Sequence, residues 1–110
     1  MTASSLVIDR RLAIQLLHAA QVAAPAAIEG VVLEEGGEPT RYLPRAGLTQ
    51  QAVWASVFSN PESAAVPDAI QLASHPLTLM ISLNTKGVLE MRAWVQQNGA
   101  PLERAVSIRD

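Results

Sequence analysis

The chain has 110 residues, the span of one compact domain, and 49% of them are hydrophobic, enough to fill a core. Eight basic against ten acidic residues give a formal net charge of −2, and only Arg10 and Arg11 are adjacent, so the basic patch that nucleic-acid binding demands is missing. No Cys means no disulfide framework, no apolar run approaches the roughly 20 residues that span a bilayer, and the start MTASSLVIDRR lacks the layout of a secretory signal. The expected setting is cytoplasmic, with neither membrane nor nucleic acid as partner.

In chain order, residues 5–8 read as a short strand and Asp9 as the N-cap of a helix running to Pro25. Leu12, Leu16, Ala19, Ala20 and Ala23 recur at helical spacing, with Leu17 and Ile14 widening the stripe that should lie on a sheet. His18 reads as a partly exposed helix histidine. Residues 28–33 form a strand entering a turn at Gly36-Gly37, and residues 40–43 pair back; residues 44–47 are irregular and 48–51 make one helical turn. Residues 52–58 are the central strand, apolar enough to be covered on both faces. A short helix over 67–74, a buried strand over 77–83, a turn at 84–87, an alternating strand over 88–95 and a turn at 97–99 follow. A strand over 102–108, with Leu102, Val106 and Ile108 on one face, closes the sheet.

The segment from Ala52 to Leu83 carries a spacing of its own: Phe58-Ser59-Asn60-Pro61, a small linker ending in Pro67-Asp68, then Gln71, with ten residues between Asn60 and Gln71. This layout resembles the core of the JAMM (also called MPN) metallo-isopeptidase family, whose pattern is an upstream Glu, then H-x-H-P, ten residues after the second His, then Asp. The resemblance covers nearly the whole chain. It implies an α/β (α+β) fold: one JAMM/MPN-like, cytidine-deaminase-like domain over residues 1–110, a mixed sheet with a long N-terminal helix and a short second one. It also implies that Phe58, Asn60 and Gln71 occupy the metal-ligand slots, Ala27 the slot of the catalytic Glu, and Asp68 that of a serine that helps hold the reacting oxygen.

A catalytic zinc takes about three protein ligands from His, Asp, Glu or Cys and keeps one position for water. Phe58 donates nothing, Asn60 and Gln71 are neutral and weak, and Ala27 is no general base. The chain therefore reads as a degenerate, bacterial-type member with no metal, no cofactor and no hydrolytic activity. Ser74-His75-Pro76 imitates half of the motif, but its register puts Ala73 and Lys86 at the other ligand slots.

The functional expectation is a pseudoenzyme serving as a protein-interaction or scaffold module. Its partner would be a protein or the extended C-terminal tail of a ubiquitin-like or sulfur-carrier protein, held by strand addition in a groove with Trp54, Ser59, Asp68 and Trp94. A homodimer and pairing with an active paralogue are the expected assemblies. The alternatives are a zinc-dependent peptidase with Asp68, Glu29 or His75 as unconventional ligands, a metal-free hydrolase using Ser59, and a purely structural, oligomerising domain. Trp94 reads either as an interface anchor or as core.

Overall fold

A computed structural model describes residues 6–44, 52–83 and 90–109. The elements are β1 (Leu6–Asp9), α1 (Arg10–Ala23), β2 (Glu29–Glu35), β3 (Glu38–Pro44), β4 (Val53–Asn60), α2 (Ala69–Ala73), β5 (Leu77–Ser82), β6 (Glu90–Gln97), β7 (Ala100–Arg104) and β8 (Val106–Arg109). Six strands form one mixed sheet in the order β3-β2-β4-β5-β6-β7, in which β4 and β5 run parallel and every other pair is antiparallel. The expected helical turn at 48–51 and hairpin turn at 84–87 lie outside the described residues.

Asp9 starts α1 by accepting the Leu12 backbone N–H at 2.9 Å. The helix lays Leu12, Leu16 and Ala20 on the sheet, where they meet Val32 of β2, Ala55 and Val57 of β4, and Leu79 and Ile81 of β5. Ile14, expected in this stripe, is 58% exposed. At 3.6 residues per turn it stands about 200° round the helix from Leu12, so a face wide enough to bury both would leave α1 almost no polar side.

The opposite sheet face carries α2 and a smaller cluster of Ala65, Leu72, Met80 and Trp94, with Phe58 packed against it. β5 separates the two cores by strict alternation, sending Leu79 and Ile81 one way and Met80 the other, and all six of its residues are buried.

The end of the chain departs from the single closing strand expected over 102–108. β7 stops at Arg104, and β8 leaves the sheet to pair in parallel with β1, from Leu6 against Val106 to Asp9 against Arg109. The break falls at Ala105, whose carbonyl accepts the Leu6 backbone N–H at 2.8 Å. Leu102 and Ile108 are consequently exposed, because no common face remains for them to share.

Gly30 is required where it stands. A Cβ there would lie 2.5 Å from the Leu43 carbonyl oxygen and 2.7 Å from the Tyr42 ring. The β2–β3 turn needs Gly36 and Gly37 for a different reason, since both adopt positive φ, the geometry that suits a two-residue hairpin.

Candidate functional site

β4 and β5 are the parallel pair of the six-stranded sheet, so their connection crosses over the sheet, and crevices beyond the carboxyl ends of such strands are where open α/β sheets place ligands. β4 delivers Phe58, Ser59 and Asn60 to this end. Phe58 faces the smaller core beside Leu72, Met80 and Trp94. Ser59 faces the other way and is 2% exposed; its hydroxyl accepts the Ile28 backbone N–H at 2.7 Å, while its own N–H donates to the Ile28 carbonyl at 3.2 Å. A buried hydroxyl that ties β4 to the entry of β2 is not presented to a groove or to a substrate.

Asn60 turns its amide onto the loop that follows. Nδ2 donates to the carbonyls of Ala64 at 2.8 Å and Val66 at 3.3 Å. Two further side chains complete the pattern: the Ser82 hydroxyl donates to the Ser63 carbonyl at 2.6 Å, and the Trp94 indole N–H to the Ala65 carbonyl at 2.9 Å. Four consecutive carbonyls, from residue 63 to residue 66, are therefore held by three side chains on three strands. A short loop exposes more main-chain acceptors than its own backbone can satisfy, and here the sheet supplies the donors.

Beyond the loop, Asp68 caps α2. Its carboxylate accepts the Gln71 N–H at 2.7 Å, and the Gln71 side-chain oxygen accepts the Asp68 N–H at 3.0 Å. This reciprocal pair is a capping box, with Asp in place of the usual Ser or Thr. Both residues thus have a local structural task. Ala27 is exposed ahead of β2, and Glu29 is the first residue of that strand, opposite Phe58.

A cleft of about 240 Å³ opens beside Phe58, with Glu29 and Val31 of β2, Ser56 of β4, and Ser74 and His75 at the end of α2 on its walls. The Ser74 hydroxyl reaches Ser56 Oγ at 3.0 Å and the Gln71 carbonyl at 2.6 Å, and His75 Nδ1 accepts the Leu77 N–H at 3.3 Å. Of the four residues expected along a groove, none lines this cleft. Trp54 is the unpaired residue of a bulge in β4 and packs into the larger core; Ser59 is buried; Asp68 caps α2; Trp94 is only 8% exposed. The core reading of Trp94 is therefore the one the packing gives.

Both outer strands carry residues that interrupt a continuous ladder. On β3, Pro39 has no N–H, Thr40 is the extra residue of a bulge, and the Tyr42 N–H donates to the Gln15 side chain at 3.3 Å. On β7, the two-residue turn at Asn98-Gly99 makes Gln97 and Ala100 the hydrogen-bonded pair, which turns the backbone of Pro101 outward.

No protein-family model matches the chain, and none of the curated proteins does. Solved structures do. A protein from Desulfitobacterium hafniense superimposes at a TM-score of 0.74 with 17% identity, over 96% of this chain and 93% of that one. A structure described as a metalloprotease-like zinc site, JAMM, in the proteasome and signalosome gives 0.67 at 15% identity, over 94% and 99%. A Jab1/MPN domain protein from Archaeoglobus fulgidus gives 0.65 at 16%, over 94% and 98%. The fold is JAMM/MPN-like.

A JAMM/MPN-like fold raises the question of zinc, and the residues at the ligand slots do not fit it. Phe58 has no donor atom, Asn60 offers only a neutral amide oxygen while its nitrogen holds two carbonyls, and the Gln71 oxygen already accepts a backbone N–H. Among the described residues no three of His, Asp and Glu come together. Of the unconventional ligands, Glu29 and His75 share the cleft while Asp68 stays on its cap.

Two features were not read from the sequence: the loop anchors Ser82 and Trp94, and the cleft around Glu29. A signal existed for Ser82, a hydroxyl ending an apolar strand, which must find a partner when buried. For the cleft the sequence offered Glu29 and His75 only as alternative metal ligands, and their meeting depends on the pairing of β2 with β4.

Proposed function

We propose that the chain is a non-catalytic JAMM/MPN-like module that holds a protein partner. The observation that carries this reading is the Asn60 side chain, whose amide nitrogen tethers the 61–67 loop and which offers a metal only a neutral oxygen. With Phe58 filling the adjoining space, the end of β4 serves packing rather than water activation. The cleft between Glu29, Phe58 and His75 is the proposed docking place, and an extended tail would lie in it through side-chain contacts, since the outer strands are blunted.

The test begins with zinc. Protein exposed to stoichiometric zinc and then freed of excess should retain almost none, whereas about one tightly held zinc per chain, the load of a single catalytic site, would overturn the reading and call for peptidase assays on carrier-protein tails. Phe58→His with Asn60→His and Gln71→Asp should install zinc retention; failure of this folded triple variant would count against the slot assignment. For the cleft, a peptide ending in Gly-Gly should shift the amide resonances of Glu29, Val31, Ser74 and His75. Shifts confined to other surfaces would remove the cleft as the docking place.

A further inference from the structure

The polar groups on the walls of the cleft beside Phe58 are biased towards accepting. Ser74 Oγ lies 2.6 Å from the Gln71 carbonyl and 3.0 Å from Ser56 Oγ. A hydroxyl carries one proton and a carbonyl can only accept, so the Ser74 proton goes to Gln71 and the contact between the two serines is made by the proton of Ser56. Ser56 is 5% exposed, which leaves that proton little choice of acceptor. Both protons are thereby spent inside the wall, and what the two oxygens still offer a guest is lone pairs.

Glu29, exposed and paired with Phe58 across β2 and β4, adds a carboxylate. Among the described lining residues no Lys or Arg stands against that charge, and among the described residues the carboxylate makes no hydrogen bond or ion pair. His75 supplies the one side-chain donor of this lining: Nδ1 accepts the Leu77 N–H at 3.3 Å, which puts the proton of the neutral ring on Nε2. The surfaces between these groups are apolar, formed by the half-buried Phe58 ring with Val31 and Val53.

A guest matched to such walls is rich in donors, positively charged, flat enough to lie on a ring and carried on an aliphatic stem. Among protein side chains arginine combines these properties, with five N–H donors in one plane, a permanent charge and a tendency to stack on aromatic faces. Lysine brings the charge but three donors and no plane. The cleft volume of about 240 Å³ is below the roughly 300–1,000 Å³ of a site for a drug-sized ligand, and is the room of a side chain.

We propose that the cleft is a socket for an arginine side chain on the partner's extended segment, with the guanidinium between the Glu29 carboxylate and the Phe58 ring and its remaining protons directed to Ser56 and Ser74. The His75 Nε2–H is left for a main-chain carbonyl of the same segment. This rests on the cleft being the docking place, and adds the residue that fills it.

In the experiment, peptides ending in Gly-Gly and carrying arginine at each upstream position in turn are titrated into the full chain and followed by its amide resonances, beside matched peptides with lysine or with citrulline, the neutral isostere of arginine. The best arginine peptide should move the amides of Glu29, Val31, Ser74 and His75 and bind about tenfold more tightly than its citrulline counterpart, the margin of a charge-assisted contact, with lysine between them. Glu29→Gln, at an exposed position and checked for fold by circular dichroism, should bring the arginine peptide down to the citrulline level and leave the citrulline peptide unchanged. A citrulline peptide that binds the cleft as well as the arginine one, or an arginine advantage that survives Glu29→Gln, overturns the socket and leaves the cleft as a docking place. Shifts confined to other surfaces overturn both. Lysine at parity with arginine overturns the stacking on Phe58 and with it the assignment to arginine. Free arginine amide binding as tightly as the best peptide overturns the assignment to a protein segment, since the site is then one for a small cation.

Discussion

On one side of the sheet, α1 meets the strands through Leu12, Leu16 and Ala20 against Val32, Val57 and Leu79, a contact made of aliphatic groups. On the other, the loop from 61 to 67 is held by donors aimed at single carbonyls: Asn60, Ser82 and Trp94. The first contact is non-directional and scales with buried area, so side chains of similar volume substitute for one another at modest cost. The second is directional, and a change of one atom type leaves a main-chain acceptor without its donor.

Substitutions on the two sides should separate in kind as well as in size. Leu16→Ala removes a fully buried side chain from the aliphatic contact and is expected to cost about 2–5 kcal/mol in urea unfolding, lowering protection from hydrogen exchange throughout the sheet. Trp94→Phe keeps most of the ring but deletes the donor to Ala65, with an expected loss of about 1–3 kcal/mol. Its exchange signature should centre on the loop and β6; a uniform loss of protection would mean that the indole acts only by volume. Gly30→Ala probes the sheet itself, where the added methyl meets the Leu43 carbonyl and the Tyr42 ring, and about 1–3 kcal/mol is expected from overpacking. Asn60→Ala should cost only about 1 kcal/mol globally, since its bonds are partly exposed, yet proteolysis should become selective for the 61–67 loop.

The smallest effect lies at the exposed rim of the α2 side. Arg92 clasps Glu103 of β7 through two hydrogen bonds, at 2.6 and 2.8 Å, and its guanidinium sits 4.8 Å from the centre of the Trp94 ring. The bond from Arg92 holds the Glu103 carboxyl below its ordinary range. A carboxylate depressed in the folded state contributes stability that is present above its unfolded value and lost as pH falls through the folded one. Glu103→Gln should therefore flatten the acid limb of the stability profile slightly, by well under about 1 kcal/mol for so exposed a pair.

Much of the architecture was legible in residue order. The α1 stripe, the buried apolar run of β5 and the Gly36-Gly37 turn follow from local periodicity and backbone freedom, and the Phe58-to-Gln71 spacing carried the fold resemblance. The departures share a cause. Ala105 ends β7 because β8 has a partner a hundred residues away in β1, and nothing within residues 102–108 announces that partner. Trp94 looks outward by alternation with Glu90 and Arg92, but α2 and the loop cover that face, and whether a strand face is covered is a tertiary fact. Asn60 could be recognised as a poor zinc ligand from its chemistry, whereas its use as a loop tether required the positions of Ala64 and Val66 in space.

The parallel pairing of β1 with β8 also sets an order of assembly. Leu6 lies against Val106, so closing this pair brings together segments separated by nearly the whole described chain, an event whose entropic cost rises with the logarithm of the enclosed length. During synthesis the hairpin of β2 and β3 can form early, but Ile8, buried under the finished molecule, has its neighbouring strand only after residue 106 leaves the ribosome. α1 follows directly on Asp9, the last residue of β1, so the strand from which the helix springs is among the last to find its place.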